Sequence, residues 1–123
     1  MIGSGAVIIW PLIARMLSGG REIGTLEATR LMNRNALVLD IRDAAEFTAG
    51  HIPNAKHIPL AELNQRINEL AKFKEKPVII SSADNSIITG KAMRVLMKNQ
   101  FTDVYQLKGG LVAWQQASLP MER

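Results

Sequence analysis

The 123 residues of this chain include no cysteine, two histidines and only 5% aromatic residues. Without cysteine there is no disulfide framework, no thiolate nucleophile and no cysteine-bound zinc. The two imidazoles, His51 and His57, have no carboxylate at a usual ligand spacing, so neither a metal site nor a cofactor is expected. A G-x-S-x-G elbow is also missing, which argues against serine hydrolysis. No run of like charge occurs: 15 Lys and Arg and 11 Asp and Glu are spread along the chain, for a net charge of +4, and no nucleic-acid partner is expected.

Long apolar runs are lacking too. Residues 6–17 are almost continuously apolar, broken only by Pro11 and Arg15, and Ser18-Gly19-Gly20 follows. A membrane-crossing helix needs roughly 20 apolar residues, so this stretch does not span a bilayer by itself. A signal peptide fits poorly, because no positive region precedes the stretch and no small-x-small cleavage pattern ends it. The readings left are the end of a longer membrane anchor, an interfacial helix, or a hydrophobic arm packed on the domain. Trp10 and Arg15 stand where interfacial anchors usually do. Arg15 and Arg21 flank the domain side, which by the positive-inside tendency implies a cytoplasmic domain, anchored at the inner face of the membrane if at all. The chain therefore divides into an apolar segment, 1–19, and one domain, 20–123, since 123 residues at 47% apolar composition suit a single core.

Beyond residue 20, helix and strand signals alternate. Thr25 can cap a helix whose apolar side is Leu26, Ala28, Leu31 and Met32, ending near residues 33–35. Residues 36–39, ending in Asp40, read as a strand buried on both faces. Residues 44–47 form a helical turn closed by Gly50, and a short strand over 56–58 follows Pro53. Leu63, Ile67 and Leu70 predict a helix over 61–71 with Glu62, Arg66 and Glu69 outward. Residues 78–80 are the most hydrophobic strand and 81–86 a polar loop. Ile88, Ala92, Val95 and Leu96 then mark a helix to about residue 99 with Lys91, Arg94 and Lys98 on its wet side. Residues 104–107 form a last strand, Gly109-Gly110 a turn and 111–117 a closing helix. Such alternation predicts an α/β domain with a mostly parallel sheet covered on both faces.

Three stretches in one order carry a resemblance. Asp40-Ile41-Arg42 is followed by Glu46-Phe47 and by Gly50-His51-Ile52-Pro53-Asn54-Ala55; a buried strand over 78–80 leads into a loop and helix; and Val104-Tyr105-Gln106-Leu107-Lys108-Gly109-Gly110 precedes Ala113-Trp114. Over residues 20–123 the chain resembles the rhodanese family. The resemblance implies five parallel strands with helices on both sides. Asp40, Arg42 and Glu46, after a strand's carboxyl end, could face a ligand or form a structural ion-pair network, and the structural role is favoured. His51, between Gly50 and a proline turn, suggests a hydrogen-bonding clamp rather than a catalyst. Gly109-Gly110 reads as a turn and Trp114 as core.

In rhodaneses the loop after the fourth strand begins with a cysteine, held as thiolate by converging amides and the next helix's positive end. The resemblance puts Ser82 at the cysteine position, in a loop reading Ser82-Ala83-Asp84-Asn85-Ser86-Ile87. A hydroxyl has a far higher pKa than a thiol and stores no persulfide, so the defining reaction is lost. Asn85 and Ile87 fall at or near the family's glycine and basic residue, and Asp84 adds a negative charge; the family's phosphatase variants need the cysteine and arginine as well. Neither histidine is placed to serve Ser82 as a base. What survives is a loop leading to a helix N-terminus, whose amides could still accommodate an anion.

The expected function is a non-catalytic rhodanese-like module that binds a protein partner or small anion, with residues 1–19 as a possible membrane contact. The alternative is a sulfur-relay component, similar to thiosulfate sulfurtransferases, that acts with a partner's thiol.

Overall fold

The computed structural model describes residues 21–83 and 86–123. Chain order is β1 (Arg21–Ile23), α1 (Thr25–Met32), β2 (Leu37–Asp40), α2 (Ala44–Ala49), β3 (Lys56–His57), α3 (Leu60–Leu63), a 3-10 helix (Ile67–Phe73), β4 (Val78–Ser81), α4 (Ser86–Lys98), β5 (Val104–Leu107) and α5 (Gly110–Gln116). The strands form one parallel sheet in the order β1-β5-β4-β2-β3. Every residue of β2 and β4 is buried, as central strands covered on both faces require.

Side-chain alternation sorts the strands into two cores. Leu37, Leu39, Val78, Ile80 and Val104 pack with Leu63, Leu70, Met93, Leu96 and Phe101 on one face. Val38, Ile79, Tyr105 and Leu107 pack with Ala28, Ile52, Leu111 and Trp114 on the other. The Trp114 indole also donates to the Pro120 carbonyl at 2.8 Å, which ties the C-terminal segment to α5.

Two helices end by the same device. Asn35 and Gln100 take left-handed backbone, at φ 68° and 67°. Ala36 N–H then reaches the Leu31 carbonyl and Phe101 N–H the Leu96 carbonyl, satisfying orphan carbonyls of α1 and α4.

Several sequence expectations need correction. The three-residue β1 carries no apolar run; pairing with β5, Arg21 opposite Tyr105, makes it a strand. The cap of α1 is Gly24, and Thr25 lies in the first turn, where its carbonyl accepts the Thr29 hydroxyl. Leu26 is exposed, because Ala28, Leu31 and Met32 set the buried face and Leu26 lies on the far side of that helix. The helix expected over 61–71 is broken: α3 stops at Leu63 and the chain resumes as a 3-10 helix. At three residues per turn Ile67, Leu70 and Phe73 line up on one side, where all three meet the core. The outward network does form, with Arg66 bonded to both Glu62 and Glu69; the hydrogen bond from Arg66 holds the Glu69 carboxyl below its ordinary pKa.

No helix among the described residues is long and apolar enough to cross a membrane. The segment 1–19, expected as a possible anchor, lies outside the described residues, as do Asp84 and Asn85 of the loop.

Candidate functional site

Parallel strands deliver their carboxyl ends to one edge of the sheet, and the loops that leave them share whatever opens there. The ends of β2, β3 and β4 here enclose a cavity of about 510 Å³. From β2 come Ile41, Arg42 and Asp43, with Glu46 on α2; beyond β3 come Pro59, Leu60 and Ala61; beyond β4 come Ser82, Ala83 and, on α4, Ile88. A smaller recess of about 260 Å³ shares Arg42, Glu46 and Ala83 and is closed by α5 through Leu111, Val112 and Gln115.

The β2 side is tightly bonded. The Asp40 carboxylate is fully buried, and the Arg42 side chain, 9% exposed, grips it: Nε lies 3.1 and 3.2 Å from its two oxygens and Nη2 2.8 Å from Oδ2. The Arg42 amide adds a bond to Oδ1 at 3.0 Å, and Nη2 also donates to the Gly50 carbonyl at 2.7 Å. The turn before α2 is capped by Asp43, whose carboxylate accepts the Glu46 amide at 2.9 Å. Glu46 itself is exposed on the rim and stays out of the Asp40–Arg42 pair.

Both histidines are spent on architecture. Phe47 is sandwiched between them, its ring 3.8 Å from His51 and 4.4 Å from His57, nearly parallel to each. His51 Nδ1 donates to the Phe47 carbonyl at 2.8 Å and His57 Nε2 to the Arg42 carbonyl at 2.7 Å; since a carbonyl only accepts, these nitrogens carry the protons. The His51 backbone pairs in both directions with Glu122, so the C-terminal segment straps this corner. Neither ring lines the cavity that Ser82 lines, and among the described residues no three His, Asp or Glu side chains gather as a metal cluster.

The β4 side is held differently. Ser82 is buried, and its hydroxyl shares a 2.7 Å hydrogen bond with that of Thr89, a turn into α4. A hydroxyl partner does not strip a proton from a serine, and no imidazole stands among the described residues that line the cavity with Ser82. The Ser82 and Ala83 carbonyls both accept the Leu111 amide, at 2.8 and 2.9 Å, which staples the loop to α5. Gly110 makes this approach possible: at φ 61° it takes left-handed backbone, and a Cβ there would overlap the Ala83 carbonyl. Ile87, near the position where the resemblance expects a basic residue, is 70% exposed. The Ser81 hydroxyl is buried without a hydrogen-bond partner among the described residues.

Residues 25–117 match the family model described as a rhodanese-like domain. The chain belongs to the rhodanese-like family. It is 40% identical over 111 residues to the uncharacterized protein YqhL of Bacillus subtilis, covering 89% of this chain and 86% of that protein. It is 34% identical over 96 residues to the thiosulfate sulfurtransferase GlpE of Coxiella burnetii, covering 77% of this chain and 87% of GlpE. The crystal structure of a full-length protein from Lactobacillus plantarum superposes with a TM-score of 0.74 at 26% identity, covering 99% of this chain and 98% of that one. As a rhodanese-like domain without cysteine, the chain has no side chain of its own that could carry a persulfide.

Of the residues singled out by sequence, Arg42, Glu46, Ser82 and Ala83 line the cavity together, while Asp40 lies beneath Arg42 and His51 packs behind it on Phe47. Ser86 opens α4, and Ile87 follows it. Sequence reasoning missed Asp43, Pro59, Leu60, Ala61 and Ile88 as lining, Thr89 as the partner of Ser82, and Leu111 as the staple. The signal for the first group was available: each follows a strand's carboxyl end in a parallel sheet.

Proposed function

We propose that this rhodanese-like domain is a non-catalytic binding module whose protein ligand enters the cavity at the ends of β2, β3 and β4. The observation that carries the reading is the Ser82–Thr89 hydroxyl pair, a bond between two neutral groups where a sulfurtransferase keeps a reactive sulfur, inside a cavity that is still open. Its 510 Å³ falls in the range of ligand pockets, about 300–1,000 Å³. An anion is served poorly by the described lining: its cation, Arg42, is bonded to Asp40 and Gly50, and Asp43 and Glu46 add negative charge. The test is a fragment and peptide screen on the isotope-labelled full chain, read by amide chemical shifts. Shifts gathered on Ile41, Leu60, Ala83 and Ile88 support the reading, and a screen in which nothing moves them ends it.

The likeness to GlpE supports a second reading, in which the domain positions a partner's thiol during sulfur relay. Labelled sulfur on a partner's cysteine that appears only when this domain is present would establish it. We further read residues 1–19 as a contact that holds the domain at the cytoplasmic face of a membrane. Deleting residues 1–18 should abolish liposome association and leave the unfolding midpoint nearly unchanged; a midpoint lowered by many degrees would make the segment part of the fold instead.

A further inference from the structure

Among the described residues, the exposed charge that lines the cavity is opposite in sign to that of the chain, which carries +4 overall. Arg42, the cation of the lining, is nearly covered and faces inward onto Asp40 and Gly50. The exposed charged groups of the lining are the carboxylates of Asp43 and Glu46, neighbours across the first turn of α2. Much of the remaining described lining is aliphatic: Ile41, Pro59, Leu60, Ala61 and Ile88. Outside the cavity, Ile87, next in sequence to Ile88, is 70% exposed, and Val112, which lines the adjoining recess, is 43% exposed. Apolar side chains gathered in the open at a concave site, with charged groups on its rim, have the composition of a contact surface. The basic residues of α4 begin at Lys91, a turn beyond Ile87, and Lys91 and Arg94 are not part of the lining.

Resting on the binding reading above, we propose that the cavity takes a segment of a partner protein in which an aliphatic side chain is followed by a lysine or arginine. The aliphatic group enters between Leu60 and Ile88, where it is removed from water, and the cation meets Asp43 and Glu46 at the rim. Asp43 can do this while capping α2, because the cap engages Oδ1 and the second oxygen stays available. The rim charges lie close to solvent, so they select the partner and speed its encounter more than they add affinity.

The test titrates the labelled full chain with acetyl-Gly-Ala-Leu-Lys-Ala-Gly-amide, with its Lys-to-Glu and Leu-to-Ser analogues, and with sodium thiosulfate. The parent peptide should shift the amides of Ile41, Asp43, Leu60, Ala61 and Ile88. Each analogue should bind roughly fivefold more weakly or worse. The Asp43→Asn, Glu46→Gln double variant keeps a capping oxygen on α2 and should bind the Lys and Glu peptides equally. Tighter binding of the Glu peptide, or thiosulfate displacing the parent from the same amides, would overturn the proposal while leaving the cavity a binding site. If none of the four probes moves these amides, the proposal is wrong, and the broader screen decides separately whether the cavity binds anything.

Discussion

At the end of β2, Asp40, Arg42 and the Gly50 carbonyl close a hydrogen-bonded circuit shielded from water; at the end of β4, the Ser82 hydroxyl meets another hydroxyl and Ile87 stands in solvent. The two halves face one cavity but answer to different demands. A buried carboxylate left without its guanidinium is so costly that the first half is held by folding itself, whatever the cavity does. A cysteine in the second half would serve a reaction, and the serine that stands there finds a hydrogen-bond partner in Thr89. The loop is nonetheless anchored from behind, through the Leu111 amide and the close approach over Gly110, so the cavity keeps its shape without its chemistry.

The sharpest way to break this contrast is Arg42→Met, which strands the buried Asp40 carboxylate. Chemical denaturation should show a loss of about 3–5 kcal/mol; a loss below about 1 kcal/mol would mean that the circuit is ornamental. Gly110→Ala attacks the rear anchor of the other half. It forces a Cβ onto the Ala83 carbonyl at positive φ, and we expect about 2–4 kcal/mol of destabilisation by the same assay, with Ser82, Ala83 and Thr89 amides shifting most. Ser81→Ala should go the other way. Removing a buried hydroxyl that has no partner among the described residues ought to stabilise the domain by about 1 kcal/mol, read as a rise in the denaturation midpoint.

A control remote from both halves is Tyr105, the chain's one tyrosine. Burial, reinforced by the Asp103 carboxylate and partly opposed by Arg21, raises its phenol above the ordinary 10. Ultraviolet titration should therefore give a single midpoint above 10, lowered by Asp103→Asn. Because the folded state holds this proton more tightly than the unfolded chain, the stability it lends is present below pH 10 and fades as pH rises through the folded-state value. Substitutions in the cavity should leave that midpoint in place.

What the sequence showed follows the strength of its local signals. β2, β4 and β5 were legible because central strands are rich in apolar residues, broken in β5 only by Gln106, and Asp40 and Arg42 because they stand at the end of one. β1 was not, since an edge strand of Arg, Glu and Ile owes its state to β5 alone. The break after Leu63 was hidden because a spacing of three, as in Ile67, Leu70 and Phe73, fits an α-helix almost as well as a 3-10 helix. At the site, residue identities gave the missing thiol at Ser82, but the pairing with Thr89 and the staple from Leu111 are made across the fold and leave no local pattern.

Beside a sulfurtransferase, the β4 half lacks more than one sulfur atom. Ser82→Cys would restore that atom while leaving Ile87 near the expected basic position and Arg42 bonded to Asp40. Among the described residues that line the cavity, a thiol there would meet one cation, Arg42, already bonded to Asp40 and Gly50, and so would have little help in holding a thiolate or attracting an anionic donor. The measurement is thiocyanate formation from thiosulfate and cyanide by the folded Ser82→Cys variant, beside the unaltered chain and a buffer blank. Rates indistinguishable from the blank for both proteins are expected; brisk turnover by the variant would show that the cysteine alone was missing and would contradict the account.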